Sequence, residues 1–454
     1  MSKRSDLKTF TKYTSLNVIS MIGLSCYILA DTFFISKGLG DAGLTALNLA
    51  IPIFAFIHGI GLMLAYGGAA NYSVCKSLGG KKDCNRIFMN MLYMALIFSL
   101  FLMGGGLFFS KNLSILLRAD SSILEMTNIY IKMILIFSPA FILNNILNFF
   151  VKNDGNPKLA MIAMLLGSLF NIIFDYIFIF PLSMGMFGAV LATGFAPLAG
   201  LSVLSLHFIK KKNSFSFSKS PINIQVIKKC IPVGIPSLLT EVSSGLVIII
   251  FNMLILKLAG NIGVAAYGII ANLSLVVLSI YIGISQGMQA ILSKLYGQGK
   301  RKSIENHLRF GLYTMLFISI AIYSLLYFNA NSISSIFNRD HDPELQRIAI
   351  RGIKLYFLAI PFAGFNIIIS SYFASTLKAI PAQVVSILRG ILLIVPIVFL
   401  MARTHQMNGI WISFPLAEIL TTAIAMLFYY FHKKALAQEI PNPHILLRTS
   451  TKTK

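Results

Sequence analysis

The feature that most constrains this chain is a series of apolar runs, each about as long as a membrane is thick. A membrane-spanning helix needs about 20 mostly apolar residues, and twelve runs of this kind occur along the 454 residues. Only 12% of the residues are charged, whereas a soluble domain carries about 25%. The chain is therefore predicted to be an all-α polytopic membrane protein with twelve transmembrane helices. The predicted spans are about 14–36, 47–74, 87–110, 127–151, 159–181, 185–209, 231–257, 264–295, 307–329, 350–376, 380–402 and 408–432.

The basic residues between these runs predict the orientation of the chain. Lys and Arg are about three times more frequent on the side that holds both termini and the loop 210–230 than on the other side. Cytoplasmic loops carry this excess, so both termini are predicted to be cytoplasmic. Lys152 and Lys158 are counted among these cytoplasmic residues. On a soluble protein the net charge of +23 would suggest a nucleic-acid partner, but here topology explains it and no nucleic acid is expected.

An internal repeat divides the chain into two halves. The segments that begin with DAGLTALNLAIP at 41 and NIGVAAYGIIAN at 261 stay in register for about forty residues without a gap. A repeat of six helices has an even number of crossings, so both copies enter the membrane from the same side. Two such bundles with a cleft between them favour transport by alternating access. Matched pairs include Gly43 with Gly263, Gly67 with Gly287, Gly79 with Gly299, Lys82 with Lys302 and Pro139 with Pro361.

The repeat also predicts the domain boundaries. The first lobe is predicted over 1–209 and the second over 231–432. A cytoplasmic linker, 210–230, connects them, and a basic cytoplasmic tail follows over 433–454.

Two acids and an amide in the first half are candidates for binding a coupling ion. Asp31 lies deep in the first span, and Asp175 lies in the fifth, with Asn171 one helical turn before it. An acid at the centre of a spanning helix costs about 2.5–3.5 kcal/mol, so a functional role is the first hypothesis. Together with Thr193 in the sixth span, these oxygen atoms would suit a proton or a small hard cation such as Na⁺. The alternative is that each acid is only hydrogen-bonded within the bundle.

The second half carries different ionisable residues. Glu241 in the seventh span has Ser237 and Ser244 on its face of the helix and is a candidate cavity residue; alternatively it lies near the cytoplasmic mouth without a partner. Glu418 and Arg389 are predicted to pair with each other, which would be a structural role. Neutral polar residues in the spans either line a polar cavity or join helices by hydrogen bonds. These neutral candidates are Asn144, Asn145 and Asn148 in the first half, and Gln286, Gln289 and Asn366 in the second.

Several motifs of enzymes and ATP-driven pumps are not found in the sequence. It contains no G-x-x-x-x-G-K-[ST] loop for nucleotide phosphates, no H-E-x-x-H zinc motif and no G-x-S-x-G nucleophile motif. Neither catalysis nor a cofactor is therefore expected, and transport is expected to be driven by an ion.

Six short stretches along the chain form a recognisable combination: ADTFFIS, NYSVCKSLGGKK, KNDGNPKLAM, NIIFDYIF, MGMFGAVLAT and GIWISFPLAE. In this combination the sequence resembles the multidrug and toxic compound extrusion (MATE) family, in particular its MepA-like bacterial branch. The resemblance covers essentially the whole chain.

The resemblance implies a two-lobed, twelve-helix exporter of bulky, often cationic drugs that is driven by inward flow of H⁺ or Na⁺. It also implies that the residues of the ion site in the first lobe are Asp31, Asn171, Asp175 and Thr193, and it matches the family's acid in the seventh helix to Glu241. Two positions depart from the family pattern. Asn366 stands where some members have an Asp, which argues against a second Na⁺ site, and the first span has no proline at which to bend.

The sequence therefore predicts a monomeric, ion-coupled multidrug exporter in the bacterial plasma membrane, with the lipid bilayer as its surroundings. Two alternatives stay open. A flippase of lipid-linked saccharides from the same superfamily would move anionic substrates and would need basic cavity residues. An uncoupled channel or a scaffold would not need Asp31.

Overall fold

The computed structural model describes residues 3–338 and 342–438. Residues 439–454, most of the predicted basic tail, lie outside the described residues. Within the described ranges the chain is helical and contains no strand. The helices are α1 (Lys3–Ser77), α2 (Lys81–Leu116), α3 (Leu124–Ile136), α4 (Ser138–Asn153), α5 (Pro157–Ile179), α6 (Gly185–Ile209), α7 (Ile224–Gly297), α8 (Arg301–Phe328), α9 (Ala330–Phe337), α10 (Pro343–Tyr356), α11 (Ile360–Ser375), α12 (Ala379–Ile387) and α13 (Ile394–Gln438), with a 3₁₀ turn over Phe357–Ala359 and a π-helical segment over Leu388–Leu392.

Eight helical segments of the described chain are long and apolar enough to cross a membrane, or nine if α3 and α4 form one bent span. Three helices contain a residue with non-helical dihedral angles: Gly40 in α1, Gly260 in α7 and Gln406 in α13. Each of these residues falls between two predicted spans, and α1 with its 75 residues would be about 110 Å long if it were straight. The multi-pass helical fold is confirmed, and the count of twelve crossings stays a prediction.

The backbone repeats the internal symmetry of the sequence. Gly40 and Gly260 are 220 residues apart and have nearly the same dihedral angles, with φ of 65° and 60°. Gly79 and Gly299 are also 220 residues apart and have φ of 83° and 68°. Glycine adopts positive φ without a steric penalty, so both copies place a glycine where the chain turns. The two-lobed, repeated architecture predicted from the sequence is confirmed.

Repeat-related prolines mark a bend in each lobe. α3 and α4 meet at 46°, and Pro139 is the second residue of α4. Pro361 is the second residue of α11, directly after the 3₁₀ turn that ends α10. Proline has no N–H to donate, and its ring clashes with the preceding turn, so each long span is interrupted at the equivalent place.

The linker between the lobes is docked on the first lobe. The ring of Phe215 is fully buried and packs against the rings of Phe88 and Phe208, with centroids 4.5 and 5.4 Å away. The backbone N–H of Asn223, just before α7, donates to Asn90 Oδ1 on α2 at 2.7 Å. The chain is therefore held against the first lobe until the second lobe begins.

Candidate functional site

The carboxyl groups of Asp31 and Asp175 meet inside the first lobe. Asp31 lies in α1 before Gly40 and Asp175 lies in α5; the side chains are 7% and 0% exposed. The two carboxyl groups are within hydrogen-bonding distance of each other. Two carboxylates in contact repel each other when both are ionised, so this pair favours one shared proton or a bound cation.

Asn171 and Thr193 complete the same cluster. Asn171 is one turn before Asp175 on α5 and is fully buried. With its amide oriented to satisfy both neighbours, its Nδ2 donates to Asp175 Oδ2 at 3.0 Å and its Oδ1 accepts from the Thr193 backbone N–H at 3.3 Å. The Thr193 hydroxyl donates to the Ala189 carbonyl at 3.1 Å. All four predicted residues are therefore close together, on α1, α5 and α6.

The cluster keeps unused acceptor atoms. Asp31 Oδ1 and Asp175 Oδ1 are both buried, and neither has a hydrogen-bond partner among the described residues. A buried carboxylate oxygen without a donor is costly, whereas carboxylate and amide oxygens are the ligands that protons and small hard cations prefer. Within the described part of the chain, no cluster of three or more His, Cys, Asp or Glu residues could hold a metal ion. A cation here would therefore depend on two acids and neutral oxygen atoms.

A cavity of about 240 Å³ lies between the lobes beside this cluster. Tyr27, one helical turn before Asp31, is part of its wall, and so is Ser168 near Asn171. The aromatic part of the wall includes Phe54 and Phe141. Of the predicted cavity residues, this cavity is lined by Asn144, Asn145, Asn148, Glu241 and Gln286.

Glu241 contributes the acidic group of this cavity, and it has a partner that the sequence analysis did not single out. His58 Nδ1 lies 3.4 Å from Glu241 Oε2, and the two side chains are 19% and 28% exposed. The His58 ring also stacks on Phe54, with 5.9 Å between centroids and 9° between planes. The detectable signal was an ionisable residue inside the predicted span 47–74, where such residues are rare.

A second cavity, of about 90 Å³, continues into the second lobe. Ser237 and Arg389 line it, and Glu241 and Gln286 line both cavities. The other three candidates of the second lobe line neither cavity. Ser244 is exposed and donates to the Glu241 carbonyl, Gln289 accepts from Asn153 at 3.0 Å, and Asn366 donates to Glu418 Oε2 at 2.7 Å.

Arg389 and Glu418 form the ion pair that the sequence predicted for the second lobe. Nε and Nη2 of Arg389 lie 3.1 and 2.8 Å from Glu418 Oε1. Asn366 donates to the other carboxylate oxygen, and the Glu418 side chain is only 1% exposed. The pair is therefore an internal connection between α11, the π-helical segment and α13.

Lys152, which the sequence analysis counted among the cytoplasmic basic residues, is not a solvated surface residue. Its side chain is fully buried, and its ammonium contacts Asn17 Oδ1 at 3.1 Å, Gln286 Oε1 at 3.4 Å and the Phe149 ring at 3.9 Å from the centroid. Lys152 lies one turn after Asn148, on the face of α4 that is turned toward the other lobe. Charge counting along a sequence does not reveal which face of a helix a residue occupies.

The chain matches one known protein family twice, once in each lobe, and it also matches individual proteins of known name. The MatE family model matches residues 17–177 and 236–400, one copy in each lobe. The multidrug export protein MepA of Staphylococcus saprophyticus is 26% identical over 409 residues, which cover 89% of each chain. MepA of a bovine strain of Staphylococcus aureus is 25% identical over 411 residues, again with 89% of each chain covered.

Solved structures share the fold. A crystal structure of MATE in complex with MaL6 has a TM-score of 0.89 at 21% identity and covers 96% of this chain and 98% of the other. The outward-facing conformation of a multidrug resistance MATE family transporter of the MOP superfamily has a TM-score of 0.88 at 20% identity and covers 96% of this chain and 97% of the other.

Proposed function

The chain belongs to the MatE family and is a multidrug efflux transporter, and we propose that it exports lipophilic, cationic small molecules in exchange for H⁺ or Na⁺. We place this monomeric transporter in the bacterial plasma membrane with both termini in the cytoplasm. The excess of basic residues on the side of the termini supports this orientation.

The contact between Asp31 and Asp175 carries the proposal. Two buried acids in the membrane are costly unless they bind something, and two of their oxygen atoms have no partner among the described residues. A proton or Na⁺ that enters this cluster would neutralise it. Asn171 would orient Asp175, and the Thr193 backbone would hold Asn171.

The chemistry of the cavity between the lobes supports the proposal that the substrate is cationic and lipophilic. Its wall combines aromatic rings with one acid, Glu241, and a cation over an aromatic face is stabilised by about 0.5–2 kcal/mol. Tyr27 links this cavity to Asp31 through one turn of α1. If the drug is bound better when the acid pair is ionised, ion binding weakens drug binding, and by linkage the drug weakens ion binding to the same extent.

The test is efflux of a fluorescent lipophilic cation from loaded bacterial cells that lack their own pumps. Wild type is compared with Asp175→Asn, with and without Na⁺ and with a protonophore. Asp41→Asn, at an exposed acid of α1, is the matched control, and the amount of each protein in the membrane is measured. We expect Asp175→Asn to abolish efflux and Asp41→Asn to keep it.

The dependence of efflux on Na⁺ and on the protonophore then identifies the coupling ion. Efflux that stops with the protonophore indicates H⁺, and efflux that requires external Na⁺ indicates Na⁺. Full efflux by Asp175→Asn would refute the assignment of the ion site. No efflux by wild type would refute export of lipophilic cations, and lipid-linked saccharides would be tested next.

A further inference from the structure

A pocket lined by basic residues lies where the N-terminus of the first lobe meets the second lobe. Its volume is about 800 Å³, which is within the size range of ligand sites. Lys3 reaches it from the start of α1, and all other lining residues belong to the α7–α8 turn and the start of α8. Its basic residues are Lys3, Lys300, Arg301, Lys302 and Arg309.

Nearby acids neutralise only part of this charge. Asp6 is buried and accepts from Asn306 Nδ2 at 3.1 Å. Glu305 lies 3.9 Å from Arg309 at an exposed position. Among the described residues no acid forms an ion pair with Lys3, Lys300 or Lys302, so the pocket attracts an anion.

The equivalent turn of the first lobe is balanced differently. Lys82 corresponds to Lys302, and the next residue is Asp83 in the first lobe but Ser303 in the second. Asp83 lies 3.7 Å from Arg86. Over the equivalent stretches 80–89 and 300–309 the first lobe carries three basic residues and one acid, and the second lobe carries four basic residues and one acid, Glu305. The turn of the second lobe is therefore the more positive of the two by one charge.

An apolar stripe leads away from the pocket along α8. Tyr313 lines the pocket and is 70% exposed, and Phe317 and Ile320, which follow it at helical spacing, are 75% and 60% exposed. α8 has 28 residues and is therefore about 42 Å long, whereas the hydrocarbon core is about 30 Å thick. Because charged residues are costly in hydrocarbon, the surplus length is assigned to the first turns of α8, which carry Arg301, Lys302 and Arg309. The apolar stripe is then the part of α8 that enters the hydrocarbon.

We propose that this pocket binds the phosphate of an anionic phospholipid, with an acyl chain of the same lipid against Tyr313, Phe317 and Ile320. Basic pockets at the membrane surface bind acidic lipid head groups in this way. Because Lys3 belongs to one lobe and Lys300 to the other, the bound lipid contacts both lobes and stabilises the arrangement seen here.

The test is native mass spectrometry of the purified full-length protein in a neutral detergent, titrated with phosphatidylglycerol or with phosphatidylcholine of the same chain length. The site variant is Lys300→Gln/Lys302→Gln. The matched control is Lys81→Gln/Lys82→Gln, which removes two lysines from the equivalent turn of the first lobe. Lys3→Gln, at an exposed position, is a milder second variant if the double variant does not fold.

We expect wild type and the control to prefer phosphatidylglycerol. Each basic residue near the surface contributes about fivefold in affinity, so the site variant is expected to bind this lipid about 25-fold more weakly and Lys3→Gln about fivefold more weakly. Equal affinity of wild type and the site variant would overturn the proposal, as would an equal loss in the control. Displacement of the lipid by inorganic phosphate at the same concentration would show that the pocket binds free phosphate instead.

Discussion

Gly67 and Gly287, which stand 220 residues apart in the two copies of the repeat, each bring a helix into backbone contact with the opposite lobe. A Cβ atom on Gly67 would overlap the carbonyl of Cys230 and lie 3.1 Å from the Gly234 nitrogen. A Cβ atom on Gly287 would lie 2.8 Å from the Cα of Thr14. The lobes are therefore closed at two symmetry-related points where only glycine fits.

Gly67→Ala and Gly287→Ala are expected to separate the lobes at these points. Overpacking of this kind costs about 1–3 kcal/mol, which shifts the population of the closed arrangement by about five- to 150-fold. The measurement is the distance between spin labels at Lys82→Cys and Gln298→Cys, in a protein without its native cysteines. We expect longer distances and slower efflux.

Gly104→Ala is the control for these two variants, because a Cβ atom at Gly104 meets no atom within 4 Å. It should leave both the distances and the efflux unchanged. Unchanged distances in Gly67→Ala and Gly287→Ala would show that the glycines do not limit closure of the lobes.

Lys152→Met is expected to favour the closed arrangement. In the described part of the chain no carboxylate lies within 4 Å of the Lys152 ammonium, and its partners are neutral. Burial of a charge costs several kcal/mol, and this cost is relieved when the lobes separate and water reaches the ammonium. The same spin-label pair should therefore show at least a tenfold smaller open population, and efflux should slow.

Lys158→Met provides the comparison for Lys152, because Lys158 is exposed at the start of α5. It removes the same charge from the same side of the molecule without changing the lobe interface. A larger open population in Lys152→Met than in Lys158→Met would contradict the prediction.

Asp154, between α4 and α5, is expected to be essential for stability and for docking of the linker. Its side chain is fully buried, pairs with Lys76 and His207, and accepts from the Ser214 backbone N–H at 2.8 Å. Asp154→Ala leaves these donors unpaired, which costs about 3–5 kcal/mol. We expect a lower melting temperature and faster proteolysis over 210–223, with little change in Asp41→Ala at an exposed acid of α1.

The contribution of Asp154 to the stability of the folded protein should depend on pH in a direction that follows from the pKa of its carboxyl group. Burial alone would raise the pKa of Asp154, but hydrogen bonds from His207, Lys76 and Tyr72 hold this pKa well below its usual value. The stabilisation is therefore complete above the ordinary aspartate pKa and is lost only as the pH falls below about 4. The difference in melting temperature between wild type and Asp154→Ala should not decrease from pH 7 to pH 5; a decrease over this interval would contradict the depressed pKa.

Arg389→Met is expected to destabilise the second lobe by about 3–5 kcal/mol, because the buried Glu418 loses its cation. The double variant Arg389→Met/Glu418→Gln should recover much of this loss, since no buried charge is left unpaired. Thermal unfolding of wild type, both single variants and the double variant gives the coupling energy. Additive effects of the two substitutions would show that the pair contributes nothing as a unit.

Much of the fold could be predicted from the sequence, because its signals are local. The length of each apolar run reflects the thickness of the membrane. Glycine and proline positions recur in the two halves at nearly constant offsets, as in Gly40 and Gly260 or Pro139 and Pro361. The spacing of Asn171 and Asp175 places both on one face of a helix. The breaks at Gly40, Gly260 and Gln406 fall where loops between spans were predicted.

The roles of several polar residues could not be read in this way. Asn366 and Gln289 were candidates for a cavity wall, yet Asn366 holds Glu418 and Gln289 bonds Asn153. His58 gave only the weak signal of one ionisable residue in an apolar run. Lys152 matched the pattern of a cytoplasmic basic residue, although its side chain is directed into the contact between the lobes.

The sequence by itself determined that this chain is a repeated, helical membrane protein with acids in its spans, because hydrocarbon excludes unpaired polar groups wherever the chain crosses it. Only the tertiary structure decided that Asp31 meets Asp175, that His58 meets Glu241 and that Lys152 lies between the lobes. Each of these contacts depends on how a helix is rotated about its axis. That rotation is set by close packing against neighbouring helices, which are distant in the sequence.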